Sequence, residues 1–145
     1  MSRTVDVDFT FQGPVTVSSV VESLSQSGWT PVEPLGISHA SEDEDGDLEW
    51  GSTTPDYSNQ VIADLDSPKN QGRVVGISIY HQEGETGGLL LFFADRTQVS
   101  FSPSINRRRL PVAEEMTDLP WYLDRMLPGL YASGLLGYQA QDVAD

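Results

Sequence analysis

Apolar and polar residues form their most regular pattern between Arg73 and Ser102. Two strongly apolar runs and a weaker third are separated there by turn-forming residues, in the order RVVGISIY, HQEGETGG, LLLFFA, DRT and QVSFS. Short apolar runs bounded by turn residues predict a three-stranded antiparallel meander. The segment 89–93 has no polar interruption, which is typical of a central strand covered on both faces. We expect the rest of the chain to be organised around this meander.

The first part of the chain predicts a strand, a helix and a second strand. Apolar residues alternate with polar ones over residues 5–11, as in a strand with one buried face. Over residues 17–24 the apolar positions form one stripe of a helix, with Thr16 as the N-cap and Gly28 as the stop. An irregular strand is expected over residues 29–38, where two prolines lack backbone donors.

A second strand and helix are expected before the meander begins. Leu48 and Trp50 alternate with polar neighbours and predict a short returning strand. Thr54, followed by Pro55 and an acidic residue, is a typical helix start. This helix is expected to end at Ser67, which precedes a proline.

The C-terminal part predicts one long connection and one helical region. Residues 104–117 are expected to form the connection, and Asp118 is expected to cap the last helix. Pro128 and Gly129 interrupt the apolar pattern, which predicts a kink or two short helices. The tail over residues 139–145 is expected to fray.

The order of these elements predicts a single α+β domain over residues 1–145, with a mostly antiparallel sheet and helices packed on it. The first six elements match the βαββαβ, or ferredoxin-like, arrangement, and two more strands and a C-terminal helix follow. A plain antiparallel sheet with its helices on one side is the alternative. The comparison is architectural, and so many functions occur on the ferredoxin-like fold that it implies none of them.

The composition excludes several classes of chemistry. The sequence has no cysteine, which excludes disulfides, thiol nucleophiles and cysteine-ligated metal centres. Its longest apolar run, residues 89–94, is too short for a membrane span. The N-terminal sequence MSRTVDVDF lacks the apolar segment of a signal peptide. We therefore expect a cytoplasmic protein that needs no membrane partner.

The charge is strongly negative and unevenly distributed. The formal net charge is −14, of which residues 1–72 carry −11 and residues 73–145 carry −3. Phosphates near such a chain raise the Coulomb energy, so nucleic acid is not an expected partner. A basic protein surface or a cation is the expected type of partner. The alternative is that the acidity serves general solvation or adaptation to salt, since the chain has a single lysine and arginine outnumbers it.

The densest negative charge lies in the tract SEDEDGDLE, and we expect its carboxylates to bind the partner: Glu42, Asp43, Glu44, Asp45, Asp47 and Glu49. Acids at alternating positions around a glycine also resemble a calcium loop. However, the position that would need a bidentate glutamate is Ser52, and strands are predicted on both sides. A solvated hairpin loop is therefore expected, with no metal and no cofactor.

Three consecutive arginines, Arg107, Arg108 and Arg109, are the candidate anion-binding residues. Guanidinium groups suit phosphate or carboxylate ligands. Solvated roles, or contacts within the molecule, are the alternative, because exposed ion pairs contribute little.

No arrangement of residues identifies a catalytic site. The sequence around Ser38, GISHA, lacks the second glycine of a nucleophile elbow. His39 and His81 are the only histidines and do not have the local spacing of metal ligands. No catalytic residues are therefore assigned.

Together these features predict a non-enzymatic, acidic protein-interaction module that binds a basic partner. Small acidic inhibitors and immunity proteins combine a similar size and charge, and complementary charge speeds their encounter with a partner. The alternative is a small-ligand-binding or hydrolase-like domain with an arginine-lined anion site. The identity of the partner and the oligomeric state are left open.

Overall fold

Ten strands and three α-helices lie within residues 2–34 and 36–145, the part of the chain that the computed structural model describes. The strands are β1 (Arg3–Phe11), β2 (Trp29–Thr30), β3 (Ile37–Glu42), β4 (Leu48–Thr53), β5 (Val75–His81), β6 (Thr86–Phe92), β7 (Gln98–Ile105), β8 (Arg109–Leu110), β9 (Ala113–Thr117) and β10 (Leu135–Ala144). The α-helices are α1 (Val17–Ser25), α2 (Ser58–Leu65) and α3 (Leu119–Ala132). Short 3-10 helices cover Pro55–Tyr57 and Pro68–Asn70.

One large sheet dominates the architecture. Its strands follow the order β10-β1-β7-β6-β5-β3-β4, and β2 pairs separately with β5. All pairings between these strands are antiparallel. β8 and β9 form a separate antiparallel hairpin. The predicted meander is present as β5, β6 and β7, with β6 in the middle, and the predicted antiparallel α+β fold is confirmed.

The strand order does not confirm the ferredoxin-like arrangement. In that arrangement β1 would pair with the strand after the second helix, which is β5 here. Instead β1 lies between β10 and β7, while β5 lies between β6 and β3. β10 pairs with one edge of β1 and β7 pairs with the other, so neither edge of β1 is available to β5.

The three helices share one core with one face of this sheet. Inward-facing residues of β1, β5, β6 and β7 join apolar residues of all three helices in a single cluster. The sheet contributes Val7, Phe9, Phe11, Val75, Ile77, Ile79, Leu90, Phe92, Val99 and Phe101, all at most 2% exposed. Burying a side chain of this size contributes about 1.5–3 kcal/mol. The helices therefore cover one face of the sheet, and within the described residues no α-helix packs on the other face.

Helix α1 begins as the sequence predicts. The Thr16 hydroxyl accepts the Ser19 N–H at 3.0 Å, and the Ser19 hydroxyl accepts the Thr16 N–H at 3.1 Å. Asp66, just after α2, accepts the N–H groups of Val17 and Ser18 at 2.7 and 3.0 Å. A carboxylate at this end also favours the helix dipole. Helix α1 is therefore fixed to the end of α2 as well as to the sheet.

Helix α3 starts at the predicted cap but is not interrupted. The Asp118 carboxylate accepts the Trp121 N–H at 3.3 Å, and the helix continues through Pro128 to Ala132. The predicted alternative of two short helices is therefore wrong. A Cβ at Gly129 would come within 2.4 Å of the Ser23 carbonyl oxygen, so this glycine allows α1 and α3 to approach closely.

Two segments expected to be irregular contain strands. Residues 104–117 include the β8–β9 hairpin, and residues 139–144 of the predicted frayed tail lie within β10. Strand β10 pairs with β1 from Arg3↔Ala144 to Phe11↔Leu135. The tail is ordered because it covers the edge of β1. Within the described residues, no helix has both the length and the apolar character needed to cross a bilayer.

Candidate interaction surface

The acidic hairpin, residues 42–49, comprises the end of β3, the turn that follows it and the start of β4. The Asp43 carboxylate accepts the N–H groups of Asp45 and Asp47, both at 2.9 Å. The Asp43 N–H donates to the Asp47 carbonyl at 2.8 Å, and Gly46 has the positive φ of 84° that the turn requires. The carboxylate of Asp43 therefore shapes the turn.

Glu42 is also used within the fold. Its carboxylate accepts the Val74 N–H at 2.7 Å, and its carbonyl oxygen accepts a hydrogen from Arg73 Nη1 at 3.0 Å. The other four predicted residues are exposed: Glu44, Asp45, Asp47 and Glu49. In the described chain the ion pairs are Arg3–Asp142 and Lys69–Asp64, so none of these four carboxylates has a cationic partner. Four of the six predicted partner-binding residues are thus free to meet one.

The carboxylates of the hairpin do not converge on a common point. Over residues 2–34 and 36–145, no group of three or more histidine, aspartate or glutamate side chains is placed to hold a metal ion. The alternating acids that resemble a calcium loop are distributed along a β-hairpin, and Asp43 is engaged by backbone N–H groups.

The face of the sheet opposite the helices, called here the open face, can be followed residue by residue across the register. One row crosses all seven strands of the sheet path: Trp50, Ala40, Gly76, Leu91, Ser100, Asp8 and Gln139. Side chains directly opposite each other on antiparallel strands share a face. The row therefore joins an aromatic residue at one edge with a carboxylate near the other.

Trp50 is the largest side chain of this row. A Cβ at Gly76 would come within 2.9 Å of both Trp50 Cη2 and Leu91 Cδ2. The indole therefore reaches across the glycine towards β6, although Trp50 belongs to the edge strand β4. With 44% of its surface exposed, it is half covered by the sheet and half available.

An apolar strip occupies the open face around this tryptophan, and it consists of Trp50, Leu89, Leu91 and Phe93. Leu89 and Leu91 are partly exposed and Phe93 is 38% exposed. The expectation that the segment 89–93 is covered on both faces is therefore wrong, because only Leu90 and Phe92 face the helices. An uninterrupted apolar run in a strand with one open face leaves apolar surface in contact with solvent.

Carboxylates border the strip on two sides. Asp6 and Asp8 lie on the open face of β1, where they line a shallow depression of about 420 Å³ with Gln139 and Gln141. The acidic hairpin borders the other side. Ser41 pairs with Val75, and Val75 pairs with Phe92. The residues that follow Ser41 and Phe92, which are Glu42 and Phe93, therefore lie at the same end of the sheet. The acidic hairpin thus extends from the end of the sheet at which Phe93 lies.

The three consecutive arginines do not converge on a shared site. Arg107 Nη1 donates to the Thr117 hydroxyl at 2.7 Å. The guanidinium of Arg108 lies 4.5 Å from the centre of the Trp121 ring. Arg109 is exposed in β8. Two of the three predicted anion-binding residues therefore make contacts within the molecule, and their role with a ligand stays a prediction.

The two histidines lie on different strands of the sheet. His81 is 4% exposed; its Nδ1 accepts the Gly84 N–H at 3.0 Å, and its Nε2 donates to the Ser27 carbonyl at 2.9 Å. Its ring packs edge-on against Trp29 and Trp121. His39 lies on β3 opposite Gly51. His81 therefore serves as a core residue with both ring nitrogens satisfied.

The open face was not identified from the sequence, although part of its signal was present. The apolar run 89–93 and the alternation around Trp50 are visible in the sequence, but only the strand register brings them together. Comparisons of the chain with protein-family models, curated proteins and solved structures gave no significant match.

Proposed function

We propose that this protein is a non-enzymatic interaction module that binds a basic protein partner through the acidic hairpin and the apolar strip of the open face. The observation that carries the proposal is the strip itself, an apolar surface bordered by carboxylates without cationic partners. Apolar surface at the centre of a contact supplies affinity, while charge around it supplies steering and specificity.

The charges of the surface define the chemistry of the partner. Glu44, Asp45 and Asp47 lie at one end of the strip, and Asp6 and Asp8 lie beside it on β1. A partner with lysine or arginine residues around an apolar centre complements both parts. Such a partner would be attracted by the net charge of −14 at long range and held by Trp50 and its neighbours at short range.

An inhibitor or immunity-type role is the more specific form of this proposal. It applies if the basic partner is an enzyme or toxin whose cationic surface the module covers. A cytoplasmic location, as the sequence predicts, suits such a role. The alternative, a ligand-binding domain with an anion site at Arg107–Arg109, has less support because Arg107 and Arg108 have partners within the molecule.

The test uses a tryptophan-free peptide probe in which arginines flank a leucine–valine centre. Trp29 is 2% exposed and Trp50 is 44% exposed, so binding at the strip should shift the emission of Trp50 to shorter wavelength. We expect saturable binding that weakens as salt is added, because salt screens exposed charges. Trp50→Phe should remove the spectral change. Absence of binding at low salt would contradict the proposal.

A matched pair of charge variants separates a specific surface from general acidity. The test variant combines Glu44→Gln, Asp45→Asn and Asp47→Asn, and it keeps Asp43 because that carboxylate shapes the turn. The control neutralises three exposed acids elsewhere, at Glu22, Glu114 and Glu115. We expect only the test variant to lose affinity, by about tenfold or more. Equal losses of affinity in both variants would instead support the alternative that the acidic residues serve general solvation.

A further inference from the structure

Strand β10 forms one edge of the sheet and is its longest strand. Its ten residues, Leu135–Ala144, extend over about 33 Å at a rise of 3.3 Å per residue. The Asp145 N–H donates to the Ser2 carbonyl at 3.1 Å, and the register from there to Gly137 is continuous. Backbone direction alternates along a strand. The N–H and C=O groups of Tyr138, Ala140 and Asp142 therefore point away from β1.

From Tyr138 to Ala144 this edge lacks the usual devices that prevent strand pairing, and the register shift of β10 lies before that segment, between Leu135 and Gly137. Natural edge strands carry lysine, proline or bulges that block a further strand. β10 has no lysine or proline, and residues 126–141 form the longest stretch of the sequence without a charged residue. The first charge beyond it, Asp142, is held by Arg3 Nε at 2.7 Å and by the Thr117 N–H.

An apolar groove runs beside this edge on the helix side. Leu123, Leu127, Tyr131 and Tyr138 line it, together with Asp124 and two prolines, and its volume is about 640 Å³. Tyr131 is 76% exposed and Tyr138 is 46% exposed. Exposed aromatic residues beside an unpaired strand edge offer both hydrogen bonds and apolar contact area.

We propose that a second copy of this chain pairs with β10, so that two sheets join in antiparallel fashion about a two-fold axis. An antiparallel contact between identical strands is self-complementary, and the groove then meets the same groove of its mate. The charge distribution selects this occupant. Two chains of charge −14 repel each other over most of their surfaces, and the uncharged stretch 126–141 is where they can meet. A basic partner would favour the acidic open face instead.

Substitution of Ala140 tests the pairing directly. Its N–H points outward, so Ala140→Pro removes a donor from the free edge and leaves the bonds to β1 in place. Ala140→Ser retains the N–H and is the matched control. Sedimentation equilibrium should give twice the 15.9 kDa chain mass for the native protein and for Ala140→Ser. We expect Ala140→Pro to raise the dissociation constant of the dimer at least about tenfold.

A second variant keeps the test valid if the proline disturbs folding. Tyr131→Glu places a charge beside its symmetry mate, whereas Ala132→Glu places one on an exposed position that does not line the groove. We expect only Tyr131→Glu to weaken the dimer. Added salt should strengthen the native dimer, because it screens the repulsion between two acidic chains. A native protein that sediments as a single chain at all concentrations would overturn the proposal, as would equal effects of both glutamates.

Discussion

The indole of Trp50 lies across Gly76, so close that a β-carbon at position 76 would come within 2.9 Å of Trp50 Cη2. The two residues belong to β4 and β5, which are not neighbours, since β3 lies between them. Only glycine at position 76 lets the ring lie flat enough to reach Leu91. The apolar strip therefore depends on a residue that has no side chain of its own.

Gly76→Ala should push the Trp50 ring away from the sheet. The new methyl group would contact the flexible ends of Trp50 and Leu91 and lie 3.3 Å from the Leu90 carbonyl oxygen. We expect a red shift of the tryptophan emission and a loss of about 1–3 kcal/mol in the free energy of unfolding. Fluorescence and urea unfolding provide the two measurements. Gly137→Ala, where a β-carbon meets nothing within 4 Å, is the control and should show neither change.

Tyr122→Phe should destabilise the core. The fully buried hydroxyl of Tyr122 accepts the backbone N–H of Arg108 at 2.9 Å and lies 2.6 Å from the Thr86 hydroxyl. Thr86 donates in turn to the Ile105 carbonyl at 3.0 Å, so Tyr122 is the donor to Thr86. Removing the hydroxyl leaves buried polar groups without a partner, at a cost of about 1–3 kcal/mol. Urea unfolding measures this loss, with Tyr131→Phe, at an exposed tyrosine, as the control. Equal stability of the two variants would refute this account.

The Asp142 carboxylate should make the protein sensitive to acid. Burial alone would raise the pKa of Asp142, but the Thr117 N–H and the Arg3 guanidinium lower it below its ordinary value. The unfolded chain, with a pKa of about 3.9, then takes up protons more readily than the folded one. The stabilisation is therefore complete above about pH 4 and is lost as pH falls through the lower pKa of the folded state.

Two variants test this linkage. Asp142→Asn should reduce stability at neutral pH by about 1–3 kcal/mol and flatten its dependence on pH below about 4. Arg3→Gln should move the pKa of Asp142 upward, because it removes one of the causes that lower it. Carboxyl chemical shifts measured by NMR across the acid range report the pKa. An unchanged pKa in Arg3→Gln would contradict the role of this ion pair.

Arg96 should be required to hold the turn after β6 against the segment before β5. Its Nη1 donates to the carbonyls of Arg73 and Phe93 at 2.7 and 2.8 Å, and its Nη2 donates to that of Asn70 at 2.9 Å. Burial lowers the pKa of Arg96 from its ordinary value. Lysine lacks the planar guanidinium group, so Arg96→Lys should lower the free energy of unfolding by about 1–3 kcal/mol. Arg109→Lys, at an exposed arginine, is the control, and equal stability of the two variants in urea would exclude this role.

The sequence alone determined the elements whose signals are local. The alternation in β1, the apolar stripe and Thr16 cap of α1, and the three strands of the meander are all present as predicted. Each depends on residues within a few positions of one another, and amphipathic periodicity reports directly which side of such an element is buried. The acidic hairpin was likewise visible, because six carboxylates lie within eight positions of sequence.

Only the tertiary structure decided how these elements meet. Arg3 pairs with Ala144, almost the whole chain away. The C-terminal tail forms a strand because it pairs with β1, although its sequence has no clear alternation of apolar and polar residues. Likewise, Trp50, Gly76 and Leu91 share a face only because three strands adopt one register. Strand pairing is a choice among edges that local propensity does not distinguish, since backbone hydrogen bonds are the same at every edge.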